Sequence, residues 1–321
     1  MLRKRRLHSL GRKCPGQTER ANSRGPVTRL AAAALVRALL PVLVAACNPA
    51  PAAAEGSAPA RPAVGLDHIP LAVKNLEHAA DDFHRLGFTL KAGRLHDNGV
   101  RNQHVKFEDG AGIELITASE ARDAQTAKYL RLLWQGDGPA LLGLHTANVD
   151  ALAKRLESIG QAYARQGGFV TLTEPGFDYL FFGGSNRSPT DRPEHFAHAN
   201  TASAMIGVWI AGGDVPRLSR LFASLGAAII EKQVFVPEKI NATVARLENG
   251  EITFLPASRQ VISGRPIVGA VFKTRDLGRA QRLLASTHNA APTMVQAAGH
   301  RSLFIPPQTA HGIWLELREE Q

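Results

Sequence analysis

Cysteine is almost absent: Cys14 and Cys47 are the only two in 321 residues, and both fall within the first 47. The rest of the chain therefore has no disulfide, no thiolate metal site and no cysteine nucleophile, so any metal must be held by His, Asp or Glu. Also missing are a Gly-x-Ser-x-Gly elbow, a phosphate-binding glycine motif and zinc-finger spacing, which leaves serine hydrolases, P-loop enzymes and finger proteins without support. Long apolar runs are scarce as well. The one candidate, "LAAAALVRALLPVLVAAC" from Leu30 to Cys47, is interrupted by Arg37 and Pro41, so a stable membrane-spanning helix is not expected.

Positive charge is plentiful but badly placed for a nucleic-acid surface. The net charge is +10, yet residues 1–47 hold ten Lys or Arg against one acid, Glu19, a surplus of nine that leaves only +1 for the remainder. No nucleic-acid partner is expected, and the basic leader followed by an apolar run has the order of an export signal. The run ends in Val44-Ala45-Ala46-Cys47, which resembles a bacterial lipobox. That resemblance implies cleavage before Cys47, lipidation of its sulfur, and an exported protein anchored in the bacterial cell envelope and facing the periplasm. Residues 48–64, rich in Pro and Ala, have little to bury and read as a flexible tether.

Beyond the tether one pattern recurs: an apolar strand, a helix cap, an amphipathic helix and further strands. The four copies begin "HIPLAVKNLEHAADDFHRLGFTL", "GLHTANVDALAKRLESIGQAY", "IGVWIAGGDVPRLSRLFASLGAAI" and "VGAVFKTRDLGRAQRLLASTHNAA". Leu76, Ala79, Ala80, Phe83 and Leu86 share one helix face, and Val149, Leu152, Ala153, Leu156 and Ile159 repeat the same offsets. Asn75, Asp214 and Asp276 are expected to cap helices, and Gly87, Gly160 and Gly226 to stop them. Asp109-Gly110 and Asn249-Gly250 mark hairpins. The expectation is an α+β chain of repeated βαβββ modules, four in two halves, 65–200 and 201–321. The end of the second module, "DYLFFGGSNRSPTDRPEHFAHANTA", mixes strand and loop signals and cannot be phased.

Four such modules, with "LDHIPLAVKNLEHAADDFHRLGFTL" leading to "NQHVKFEDGAGIELI", resemble the vicinal oxygen chelate superfamily and its glyoxalase-like branch, the glyoxalase/bleomycin resistance/dihydroxybiphenyl dioxygenase fold. The resemblance implies paired modules that form a cupped sheet around a divalent metal, where a small substrate chelates through adjacent oxygens. On strand alternation Ile69, Leu71 and Val73 form the buried stripe, so His68 faces the other way; Glu114 in "GIELIT" and Glu316 in "GIWLELRE" share that phase. One imidazole and two carboxylates suit Zn, Fe, Mn or Ni.

Two completions of the ligand set stay open. If the first and fourth modules share a cup, the set is His68, Glu114 and Glu316; if the first and second do, His145, His195 or His198 completes it. Glu114 or Glu316 would double as a catalytic base. The third module offers Gly207 and Thr253 at the corresponding places, and the fourth offers Gly269 opposite His68. Asn102, His198 and Asn200 are expected to contact substrate on the resemblance alone. The functional expectation is a metal-dependent lyase, isomerase or dioxygenase acting on a small oxygen-rich molecule. Its alternatives are a ligand-sequestering protein without catalysis and a structural module without metal.

Overall fold

The computed structural model describes residues 62–287, 292–297 and 299–320, which belong to one compact unit. The leader, the apolar run with Cys47 and most of the tether lie outside them. Among the described residues no helix is long and apolar enough to cross a membrane.

Two short strands, β1 (Val64–Leu66) and β2 (His68–Ala72), open the fold, followed by α1 (Leu76–Arg85), β3 (Lys91–Leu95), β4 (Arg101–Lys106) and β5 (Gly112–Thr117). Then come α2 (Ala124–Trp134), β6 (Gly138–Pro139), β7 (Leu142–Thr146), α3 (Val149–Ser158), β8 (Tyr163–Gln166), β9 (Phe169–Leu172) and β10 (Leu180–Gly183). The second half runs β11 (Ala202–Ala211), α4 (Val215–Ser224), β12 (Ala228–Phe235), β13 (Lys239–Arg246) and β14 (Glu251–Leu255). It ends with β15 (Ile267–Thr274), α5 (Leu277–Thr287), β16 (Thr293–Ala297), β17 (His300–Ile305) and β18 (Trp314–Glu320).

The local signals explain the helices. Asn75, Asn148, Asp214 and Asp276 each accept a hydrogen bond from the backbone N–H three residues on, which satisfies a donor the helix start would otherwise leave open. Gly87, Gly160 and Gly226 end three helices at φ 85°, 67° and 97°, where a side chain would be strained.

The strands form three sheets, ordered β3-β4-β5-β2-β6, β1-β7-β10-β9-β8 and β12-β13-β14-β11-β15-β18-β17-β16. Each βαβββ unit closes by pairing its first and last strands in parallel: β2 with β5, β7 with β10, β11 with β14 and β15 with β18. That closure places residues far apart in sequence side by side. Pro70 lies opposite Glu114, so His68, two residues upstream, shares a sheet face with it.

The other face of each sheet builds the main core. Ile69, Leu71, Ile113 and Leu115 pack under Leu76, Ala79 and Phe83 of α1, while Phe272, Leu315 and Leu317 meet Leu277, Ala280 and Leu284 of α5. Helix α2 has no counterpart in the repeat read from the sequence. It is closed by a capping box between Asp123 and Thr126, and its Tyr129 and Leu133 cover Ala72, Ile116 and Ala118 on the His68 side of the first sheet. The stretch that could not be phased becomes β10 and a loop that returns along the first sheet through Asp191, whose carboxylate binds both Lys91 and Lys106.

Candidate functional site

Strands β2, β4 and β5 lie next to one another, so His68, Asn102, His104 and Glu114 all face one side of the first sheet. Together with Phe169, Thr171 and Phe181 of the second sheet they line a cleft of about 1120 Å³. The first and second modules therefore share the cup. Gly143 makes the approach possible: a Cβ there would sit 2.7 Å from the Phe181 ring and 3.1 Å from His68 Nδ1.

His68 and Glu114 meet at 3.4 Å between Nε2 and Oε2, and His68 Nδ1 lies 3.4 Å from Asp67 Oδ2. Asp67 is itself fixed by the backbone N–H of Asn186. Asn102 donates to Glu114 Oε1 at 2.6 Å and accepts from the Arg94 N–H at 3.0 Å, so its amide is oriented at both ends.

Burial works against charge on His68, yet the Asp67 and Glu114 carboxylates raise its pKa to about 9. Burial likewise pushes the Glu114 carboxyl up, but the hydrogen bond and charge of His68, with smaller help from His104 and Asn102, hold it at about 2. His104 goes the other way. Burial drops it to about 4 despite the attraction of Glu114, so it is a neutral imidazole at pH 7.

A divalent cation is a chemically sensible occupant. His68 and Glu114 are donors of the right type and are already within 3.4 Å of each other. His104, directly across from Glu114 in the β4–β5 ladder, offers a neutral ring nitrogen. Two imidazoles and one carboxylate make a set that suits iron, zinc, manganese or nickel and leaves open positions. Asp67 stands behind His68 as the carboxylate that orients a ligating imidazole. His104 was not singled out in the sequence, although its place two residues after Asn102 in "NQHVKF" puts it on the same face.

The remaining sequence-derived candidates lie elsewhere. Glu316 belongs to the eight-stranded sheet and is fully buried, accepting from Ser302 Oγ at 2.6 Å and from Arg318 Nε at 2.7 Å and Nη2 at 3.0 Å. It is a structural ion-pair partner, separate from His68 and Glu114. His145 shares the face of Phe181 but lies two residues further along the strand pairing. Its Nδ1 is 3.2 Å from Leu66 O and its Nε2 3.6 Å from Glu248, at the seam with the third module.

His198 is enclosed by Phe88 and Phe107, accepts from Thr89 N–H and donates to Lys106 O. Asn200, with no exposed surface, donates to Leu86 O and accepts from Ala202 N–H. Both saturate backbone groups, His198 within the first half and Asn200 across to Ala202 of the second, and neither lines the cleft. His195 accepts from the Arg192 N–H within its own turn.

A family model described as a glyoxalase-like domain matches residues 66–249, more than half of the chain, and the protein belongs to that family. Solved structures on the same fold include a mutant form of 4-hydroxymandelate synthase from Streptomyces coelicolor, 12% identical with TM-score 0.61, covering 81% of this chain and 93% of that one. A catechol 2,3-dioxygenase follows at 14% identity and TM-score 0.55, covering 80% and 87%. A hypothetical protein from Staphylococcus aureus is 12% identical with TM-score 0.54, covering 80% and 99%. These place the chain on the vicinal oxygen chelate fold. No curated protein sequence matches it.

Proposed function

We propose that the chain is a divalent-metal-dependent enzyme that acts on a small, oxygen-rich, anionic molecule in the cleft between the first two modules. The observation that carries this reading is that His68, His104 and Glu114 stand on neighbouring strands of one sheet face and line the same cleft. The cation would be held by those three side chains, and when bound it supplies Lewis acidity toward adjacent substrate oxygens. A 4-hydroxymandelate synthase and a catechol 2,3-dioxygenase have the same fold.

The chain's own residues suit such a substrate. Among the described residues Glu114 is the only acid lining the cleft, against Lys91, Arg94, Lys106 and Lys128. Asp191 pairs with both Lys91 and Lys106, one negative charge against two positive, and Lys128 pairs with Asp178, so a positive balance that includes the Arg94 guanidinium is left to draw in an anionic group. Phe169 and Phe181, on adjacent strands of the second sheet, pack edge-to-face and give the cleft an apolar wall against a ring or short chain. Asn102 keeps one Glu114 oxygen occupied, so the carboxylate presents the other, Oε2, toward His68.

Elemental analysis of the purified full chain is expected to find divalent metal that disappears in His68→Ala and Glu114→Ala. Turnover on catechols, 2-oxo acids or α-ketoaldehydes should fall by about 100-fold or more in the same variants and in His104→Ala. A metal-free wild type, or variants as active as wild type, overturns the reading. A second reading, binding without turnover, is favoured by one feature: all three donors come from the first module, while the second lines the cleft through Leu141, Gln166, Phe169, Thr171 and Phe181. Tight binding of such a compound with no product formed would establish it.

Export and lipidation at Cys47 are part of the same proposal, supported by the order of basic leader, apolar run and tether. Cys47→Ser should move the protein from the membrane fraction to the soluble one; an unchanged distribution rejects the anchor.

A further inference from the structure

The side of α1 turned away from the first sheet carries His78 and Asp82, one helical turn apart. Against it packs the loop before β18, in which His311 adopts φ 52° and Gly312 φ 84°. His311 Nε2 lies 2.9 Å from Asp82 Oδ2, and His78 Nδ1 lies 3.4 Å from the same oxygen. Among the described residues this is the one group of three or more His, Asp or Glu whose donor atoms all fall within 4.8 Å of one another. Three segments far apart in the sequence meet here, since Asp137 also approaches, its Oδ2 2.9 Å from His311 Nδ1.

We propose that His78, Asp82 and His311 form a second divalent-metal site, best suited to zinc, which clasps the last loop of the chain onto its first helix. Two imidazoles and one carboxylate are borderline ligands that zinc takes in tetrahedral geometry, with water in the fourth position. The exposed side of the cluster, where His78 is two-thirds accessible, leaves room for that water. Arg85 holds the other oxygen of Asp82, so the carboxylate ligates through Oδ2 alone.

Asp137 completes the pattern from behind. A metal-bound imidazole donates its second N–H to a carboxylate that fixes its tautomer, and Asp137 is itself anchored by the Lys74 N–H at 2.9 Å. The competing explanation is an imidazolium at His311 bridging two carboxylates. That arrangement needs only Asp82 and Asp137, and gives no role to His78, whose Nδ1 converges on the same oxygen as His311 Nε2.

This site is independent of the cleft, because α1 covers the sheet face opposite His68 and Glu114, and none of its ligands lines the cleft. The test is a calorimetric titration of the full chain with Zn²⁺ alone, in a His68→Ala, Glu114→Ala background that removes the first site. One equivalent should bind. His78→Ala should weaken it by about 100-fold or more, and Asp137→Asn, which keeps the shape but loses the carboxylate behind His311, by about 10–100-fold. Co²⁺ should give the visible absorption of a tetrahedral centre in the background protein and lose it in His78→Ala. If the background variant does not fold, the wild-type stoichiometry should drop by one equivalent in His78→Ala. No zinc uptake, or uptake that His78→Ala leaves unchanged, overturns the proposal, whatever metal the cleft holds.

Discussion

The two halves repeat the same closure but treat the inner face of the sheet in opposite ways. In the first half, His68 and Glu114 face a cleft. In the second, the position matching His68 in the fourth module is Gly269, and a Cβ there would sit 2.2 Å from the Trp209 ring. Trp209, Val244, Val271 and Phe304 fill the space in a buried cluster of their own. Glu316, in the phase of Glu114, is left in that packed face with Ser302 and Arg318 as its partners. Shape is thus inherited by repetition, whereas a site needs unfilled volume as well as donors.

The sharpest way to break this contrast is to unpair Glu316. Arg318→Ala strands a fully buried carboxylate and should cost about 3–5 kcal/mol in urea unfolding. The double variant Glu316→Gln, Arg318→Met should recover most of that loss. A cost under about 1 kcal/mol for Arg318→Ala would mean that water reaches the inner face of the eight-stranded sheet, and the contrast with the cleft would fail.

The seam between the halves comes next. Burial holds the His198 imidazole at about 4, below its ordinary 6.5, so the unfolded chain takes up the proton first as pH falls. The stability gained by burying it neutral is complete above about pH 6.5 and drains away toward pH 4, by about 3 kcal/mol at most. Unfolding measured across that window should show the loss in wild type and a flatter profile in His198→Gln; identical profiles would assign the acid sensitivity elsewhere.

A smaller effect tests the filled cup directly. Gly269→Ala forces Trp209 to move and should destabilise by about 1–3 kcal/mol in urea unfolding; no loss would mean that the inner face of the eight-stranded sheet has room to spare. Smallest is Asp67→Asn, expected to weaken cleft metal binding by about 10–100-fold through the orientation of His68, with unfolding nearly unchanged. Equal metal affinity in that variant would show that Asp67 only anchors the Asn186 loop.

Much of this was legible in the residues. Helix faces, caps and stopping glycines are local, decided within a few residues, and the period of the repeat follows from them. The shared phase of His68 and Glu114 was equally legible, because strand alternation carries it. His104 was open to the same reasoning and was missed beside the more conspicuous Asn102. Glu316 has the same phase as Glu114 and a different environment, which alternation cannot reveal: Arg318 sits two residues away on its own strand and Ser302 across the ladder. Nor did the pattern mark α2, whose Asp123–Thr126 capping box is a local signal but whose place over Ala72 and Ile116 is not.

By itself, then, the sequence determined the helices and strands of the repeated module, apart from the end of its second copy, and which face of each strand a side chain takes, since these depend on neighbours a few residues away. Only the tertiary structure decided that the first two modules share the open cup and that Trp209 fills the inner face of the second half. It also decided that Asp137 and His311 gather beside His78 and Asp82 on the outer side of α1. Contacts across such distances depend on how sheets pack, and that is set by the volume of every side chain between them.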